Sequence, residues 1–304
     1  MRIQRRTHDQ VSWYVEVDPA GNVLRAARDL QTICRKGGGT IEASIVSALN
    51  GAQRLVPCEP SKIVCVGLNY RKHAAEMGKA LPAEPLLFLK PPSALIGPGQ
   101  PILLPAASHE VHYEAELAVV IGIRATDVRV EDALDHVLGY TLINDVTARD
   151  LQRSDVQYTR AKSFDTFAPL GPTIVTELDP ESLEISLNVN GEQRQRSLCS
   201  DMIFSVPEIV SFVSGVMTLE PGDVIATGTP AGVGPLREGD LVSLAISDIG
   251  RLTNPVRRRP RRDRSHRGLP HLPGMQRHLR TRGEVLRLLR DRHGSLVRHR
   301  LPSR

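Results

Sequence analysis

The residues best suited to chemistry are acidic and closely spaced. Glu114 and Glu116 lie two apart in the segment His112-Tyr-Glu-Ala-Glu-Leu-Ala-Val-Val-Ile121. In a strand, residues two apart share a face, so both carboxylates point the same way, opposite Tyr113, Ala115 and Leu117. Two carboxylates with no Lys or Arg between them repel unless a cation sits there. Hard oxygen donors suit Mg²⁺, Mn²⁺ or Ca²⁺ rather than zinc. Taken alone, such a pair is ordinarily the solvated face of an edge strand. A third carboxylate, Asp145, ends the run 139–145 (GYTLIND) and can aim at the same sheet face. By itself it reads equally well as turn chemistry. A second cluster, His73 and Glu76, falls within residues 69–78, where Asn69 is the expected helix N-cap and Gly78 the expected stop. Three apart on a helix, the two side chains share a face. A His held by a carboxylate can deprotonate water, the Glu fixing the tautomer; without a site beside it, the same pair is an exposed ion pair.

The elements that must position these groups are mostly strands. Residues 63–66 (IVCV) and 119–121 (VVI) read as buried strands, and Leu183, Ile185, Leu187 and Val189 alternate with polar residues before Asn190-Gly191, a hairpin signal. The turns at 220–223 (EPGD) and 237–240 (REGD) each precede a β-branched run. One clear helix begins at Ser205-Val-Pro-Glu208, a capping box. Thr147-Ala-Arg-Asp150 has the form of another helix-opening box. With no regular βαβ alternation, the fold class is β-rich α+β rather than a Rossmann or TIM fold. The expected domains are 1–58, a small N-terminal α/β layer; 59–256, the catalytic domain; and 257–304, an Arg-rich tail expected to be disordered.

Composition agrees with a globular protein. The chain has 304 residues, 40% hydrophobic and 24% charged. Its four cysteines are scattered with no CxxC pair, and the charged start MRIQRRTHDQ lacks an apolar signal core. A cytoplasmic location is therefore expected, with no membrane span. The formal charge of +5 misleads. Residues 257–304 hold sixteen Arg and three acids, +13, which leaves −8 for the remainder. The tail has no Phe, Tyr or Trp to stack bases, so no specific nucleic-acid partner is expected.

Four blocks in fixed order make the sequence resemble the fumarylacetoacetate hydrolase family. They are Tyr113-Glu-Ala-Glu-Leu117, Asn144-Asp-Val-Thr-Ala-Arg-Asp150, Lys162-Ser-Phe-Asp-Thr-Phe-Ala-Pro-Leu-Gly-Pro172 and Thr227-Gly-Thr-Pro-Ala-Gly-Val-Gly234. The match covers roughly residues 60–256. The resemblance implies that Glu114, Glu116 and Asp145 hold Mg²⁺ (or Mn²⁺), that Lys162 reaches a substrate oxygen near the metal, and that Thr229 contacts a substrate carboxylate or keto group. It also implies a β-sandwich roll and a homodimer. Residues 69–78 look like the lid helix of the acylpyruvase and oxaloacetate decarboxylase branch, which makes His73 and Glu76 catalytic. Arg149 is read as pairing with a local acid.

From this site the leading expectation is a metal-dependent hydrolase that cleaves a C–C bond of a β-diketo acid, acylpyruvate- or fumarylpyruvate-like, in aromatic or amino-acid catabolism. The alternative is an isomerase or decarboxylase acting on 2-hydroxyhepta-2,4-diene-1,7-dioate-type or oxaloacetate-type substrates. Either reading makes a small dioxo acid the partner. Both need the same stabilised enolate.

Overall fold

The apolar run that follows Glu116 forms the middle of the molecule. The computed structural model describes residues 1–260; of the tail expected over 257–304, residues 261–304 lie outside the described residues. Strand Ala115–Ile121 is buried at every position. Leu117, Val119 and Ile121 enter one apolar core, while Ala118 and Val120 enter another on the opposite face. A strand covered on both sides has no need of apolar–polar alternation, which is why this run reads as continuous.

Around it an eleven-stranded sheet assembles, with the path Val23–Ala27, Val11–Val17, Arg2–His8, Ala168–Val175, Val137–Asn144, Ala115–Ile121, Val224–Ala226, Ile63–Gly67, Leu86–Lys90, and with Gln53–Arg54 and Leu95–Ile96 pairing off it to Arg2–His8 and Ala168–Val175. A second sheet of five strands runs Glu192–Leu198, Glu184–Val189, Leu241–Ile246, Gly250–Arg258, Ile102–Leu104. The larger core lies where the sheets face: Leu117, Val119 and Ile121 pack with Ile185, Leu187, Leu244 and Ile246. The fold is therefore the expected β-rich α+β sandwich. The Asn190-Gly191 turn has φ of 54° and 84°, as a tight hairpin requires. Helix Val206–Val216 opens on the expected capping box, with Glu208 accepting from the Ser205 N–H at 2.7 Å.

Several local expectations change. Residues 112–121 do not form one strand: Val111–Tyr113 and Ala115–Ile121 belong to different sheets, with Glu114 between them. Asn69 does not cap the lid helix, Arg71–Glu76; Tyr70 precedes it with no side-chain cap. Thr147 does not open a capping box either. It lies in the short strand Thr147–Ala148, and its hydroxyl donates to the Asp145 carbonyl at 2.9 Å.

The expected limits of the catalytic domain are also not breaks in the chain's packing. Residues 1–58 have a small core of their own around Val15, Val17, Val23 and Leu49. Yet Arg2 and Ile3 pair with Val175 and Ile174 of the large sheet, and Met1–Pro260 forms one compact unit. At the other end, pairing continues past 256, with Arg257 and Arg258 opposite Leu103 and Leu104.

Candidate active site

Glu114 sits where the chain passes from one sheet to the next, and the break is compensated locally. Its N–H donates to Asn144 Oδ1 and its carbonyl accepts from the Asp145 N–H, both at 2.9 Å. This exchange places Glu114 beside Asp145, at the end of strand Val137–Asn144. Glu116, two residues on, completes a triad whose oxygens lie within 4.8 Å of one another. The three side chains are 4%, 2% and 0% exposed. A solvated edge-strand face is therefore excluded.

Burying three carboxylates demands compensation, and it is unevenly supplied. Lys162 Nζ donates to Glu114 Oε2 at 2.7 Å and to Asp145 Oδ2 at 2.6 Å. Arg149 pairs with the other Glu114 oxygen and donates to Gln152 Oε1 at 2.5 Å. Burial alone would push the Glu114 carboxyl up, but Lys162 and Arg149 outweigh it and hold the group well below the usual carboxylate range. Burial would likewise lower Lys162, but Asp145 and Glu114 raise it instead. Glu116 fares differently. Among the described residues its one donor is the Gly228 N–H at 2.8 Å. Burial, then the charges of Asp145 and Glu114, push it well above the ordinary value.

Sequence reasoning missed Lys90. It ends strand Leu86–Lys90, is 1% exposed, and donates to Asp145 Oδ1 at 2.6 Å and to the Val146 carbonyl at 3.0 Å. The available signal was a lysine closing an apolar strand directly before Pro91-Pro92. Arg149 pairs with a local acid as read, but that acid is Glu114 itself.

The expected lid helix, Arg71–Glu76, brings His73 to the same pocket as the triad. His73, 6% exposed, is within 3.0 Å of Glu76 Oε2 through Nδ1. Glu76 in turn accepts from the Gly232 N–H at 3.1 Å, tying the lid to the Gly-rich loop. Asn69, 0% exposed, anchors the approach to the lid: its side-chain amide donates to the Thr227 carbonyl at 2.8 Å and accepts from the Phe204 N–H at 2.8 Å. Gly228 is required where these parts meet. Its φ is +98°, and a Cβ there would lie 2.7 Å from that of Asn69.

His73, Glu114, Glu116, Asp145, Lys162 and Thr229 line one pocket of about 90 Å³; Gln152 and Tyr158 also face it. Glu76 stands behind His73. All seven residues singled out in the sequence thus meet at one place.

Residues 62–257 match the model of the fumarylacetoacetate (FAA) hydrolase C-terminal family. The chain belongs to the fumarylacetoacetate hydrolase family. Within that family, it is 47% identical over 216 residues to the oxaloacetate tautomerase YisK of Bacillus subtilis, covering 65% of this chain and 70% of that protein. The structure resembles that of 2-hydroxyhepta-2,4-diene-1,7-dioate isomerase from Mycobacterium marinum, with TM-score 0.74 and 44% identity over 85% of this chain and all of that one. It also resembles fumarylpyruvate hydrolase from Pseudomonas aeruginosa, solved with Mn²⁺ and pyruvate, with TM-score 0.63 and 36% identity over 68% of this chain and 92% of that one. Family members are thus enzymes of several reaction types. Among the described residues, no helix is long and apolar enough to cross a membrane.

Proposed function

We propose that the chain is a divalent-metal-dependent enzyme that interconverts the enol and keto forms of a short 2-oxo diacid of the oxaloacetate type. One observation carries this reading: a buried cluster of three carboxylates and three cations meets a His–carboxylate pair at one pocket. Glu114 and Asp145 pair with Lys90, Lys162 and Arg149, and Glu116 pairs with none of them. A divalent ion would leave the site two positive charges in excess, which a dianion neutralises.

The triad fits such an ion. Its donors are all carboxylate oxygens, which suit Mg²⁺ or Mn²⁺, and Glu116 lacks a cation of its own. Glu114, Glu116 and Asp145 would hold the ion, which when bound supplies Lewis-acid polarisation of an oxo oxygen. Lys162 holds its ammonium against Glu114 and Asp145 at the pocket wall, from where it can stabilise the charge that develops on the substrate's enolate oxygen. Arg149 and Gln152 offer donors to a substrate carboxylate at the pocket wall. Glu76 accepts the Nδ1 proton of His73 and so leaves Nε2 free as the base. His73 then takes a proton from the substrate's enol oxygen or α-carbon and returns one at the other position, while the closed lid keeps bulk water out.

The order of expectations shifts here. Hydrolysis of an acylpyruvate needs the same dyad to act on water, and the pyruvate-bound fumarylpyruvate hydrolase supports it as a second reading. The tautomerase and isomerase relatives are more similar in sequence. The test is a Mn²⁺-supplemented assay of enol-oxaloacetate ketonisation beside acylpyruvate cleavage and hydroxyheptadienedioate isomerisation. Chelator-sensitive acceleration of ketonisation is expected. Efficient acylpyruvate cleavage with ketonisation at the buffer rate would overturn the reading in favour of the hydrolase.

A further inference from the structure

Gln195 belongs to strand Glu192–Leu198, where its neighbours Arg194 and Arg196 are exposed. Gln195 itself is 1% exposed. Its Oε1 accepts from the Ala115 N–H at 3.0 Å, and its Nε2 donates to Thr229 Oγ1 and to the Pro230 carbonyl, both at 2.8 Å. Two of these partners fix the amide's orientation without reference to Thr229. A backbone N–H can only donate and a carbonyl can only accept, so Oε1 must face Ala115 and Nε2 must face Pro230. The second Nε2 proton therefore goes to the Thr229 hydroxyl. That hydroxyl, already accepting, keeps its own proton for the pocket it lines.

We infer that Gln195 is a positioning residue that leaves the Thr229 hydroxyl proton free to donate toward an oxygen-rich, anionic ligand. This inference rests on the active-site reading above. It goes beyond Thr229 because it names what sets the polarity of that contact. Ala115 lies between Glu114 and Glu116, so one amide spans the triad strand and the Gly-rich loop. The same hairpin holds that loop a second time: at Gly232 (φ +96°) a Cβ would lie 2.2 Å from the Arg194 carbonyl oxygen. Ligand donors and carboxylate triad are thereby fixed relative to each other before any ligand binds.

The test reads binding rather than turnover. Oxalate, a planar dianion, is titrated calorimetrically into the Mn²⁺-loaded protein. Thr229→Val and Gln195→Met are each expected to weaken oxalate binding about tenfold, the scale of one hydrogen bond to a charged group. The double variant is expected to bind no more weakly than Thr229→Val, because Gln195 acts through that hydroxyl. Mn²⁺ affinity should be unchanged throughout. Multiplicative losses in the double variant, or wild-type oxalate affinity in Gln195→Met, would overturn the inference. A Mn²⁺ affinity that falls in step with oxalate affinity would overturn it too, since Gln195 would then only support the triad. Should Gln195→Met not fold, Gln195→Glu keeps the shape and the acceptor for Ala115 and carries the same cycle. Failure of the wild type to bind Mn²⁺ or oxalate sinks the active-site reading instead, so the two failures are distinguishable.

Discussion

Two buried carboxylates bracket the same pair of strands and have opposite surroundings. Strand Val224–Ala226 lies antiparallel to residues 118–120 of the central strand. At one end stands Asp223, 0% exposed, with five protein donors: the N–H groups of Ser61, Lys62 and Glu220, the Ser61 hydroxyl and the Lys62 ammonium. At the other end stands Glu116, 2% exposed, with one donor and two acidic neighbours. Burial pushes both carboxyls up. At Asp223 the donors win and hold it below its ordinary value; at Glu116 the Gly228 N–H and the more distant Lys162 do not outweigh burial and the two acids. A buried carboxylate left short of donors is a place for something else.

The comparison can be broken most decisively at Glu116. Glu116→Gln is expected to abolish turnover and Mn²⁺ binding while raising the melting temperature of the metal-free protein, because it removes a carboxyl whose ionisation burial and its acidic neighbours oppose. Glu114→Gln and Asp145→Asn should also abolish turnover but destabilise, by about 3–5 kcal/mol, since each strands a buried cation. Calorimetric Mn²⁺ titration and thermal melts on the three variants check both signs. Wild-type stability should rise by about 2.7 kcal/mol at a metal concentration of about 100 Kd, and that of Glu116→Gln should not rise.

The lid offers the next largest effect. His73→Ala is expected to slow turnover about 10²–10⁴-fold, the usual contribution of a general base, with Mn²⁺ affinity intact. Steady-state kinetics beside metal titration separates this from a loss of ligands.

At the structural end, Asp223→Asn should cost about 1–3 kcal/mol of stability and leave the turnover of the folded protein unchanged. The pH dependence follows from the depressed carboxyl. A group whose folded value lies below its unfolded value, near 3.9 for Asp, stabilises above the unfolded value. That stability is lost as pH falls through the folded one. Urea melts from pH 7 down to 2 should therefore show a steeper acid loss in the wild type than in Asp223→Asn.

The smallest effect concerns the end of the sheet. Truncation after Pro260 should leave folding and Mn²⁺ affinity unchanged. Truncation after Val256 removes the pairing of Arg257 and Arg258 with Leu103 and Leu104 and should lower stability by about 1–2 kcal/mol, on the scale of a backbone hydrogen bond or two. Thermal melts of both forms check it.

By itself the sequence determined which residues gather at the pocket. Glu114, Glu116, Asp145, Lys162, Thr229 and the His73–Glu76 pair stand in segments whose residue types and order are informative without coordinates. It also determined the class of fold, because strand periodicity, the Asn190-Gly191 hairpin and the Ser205 capping box are local signals. Only the tertiary structure decided which of two readings applies to a carboxylate. Exposure separates a solvated acid from a buried one, and it depends on sheets packed from distant parts of the chain. Lys90, Asn69 and Gln195 were illegible for the same reason. Each acts on partners 55, 135 and 158, or 34 and 80 residues away, and no local pattern encodes a contact made only when both sheets have closed. The break at Glu114 is the clearest case: periodicity asked for one strand, and the Asn144 side chain and Asp145 N–H hold the chain in another path.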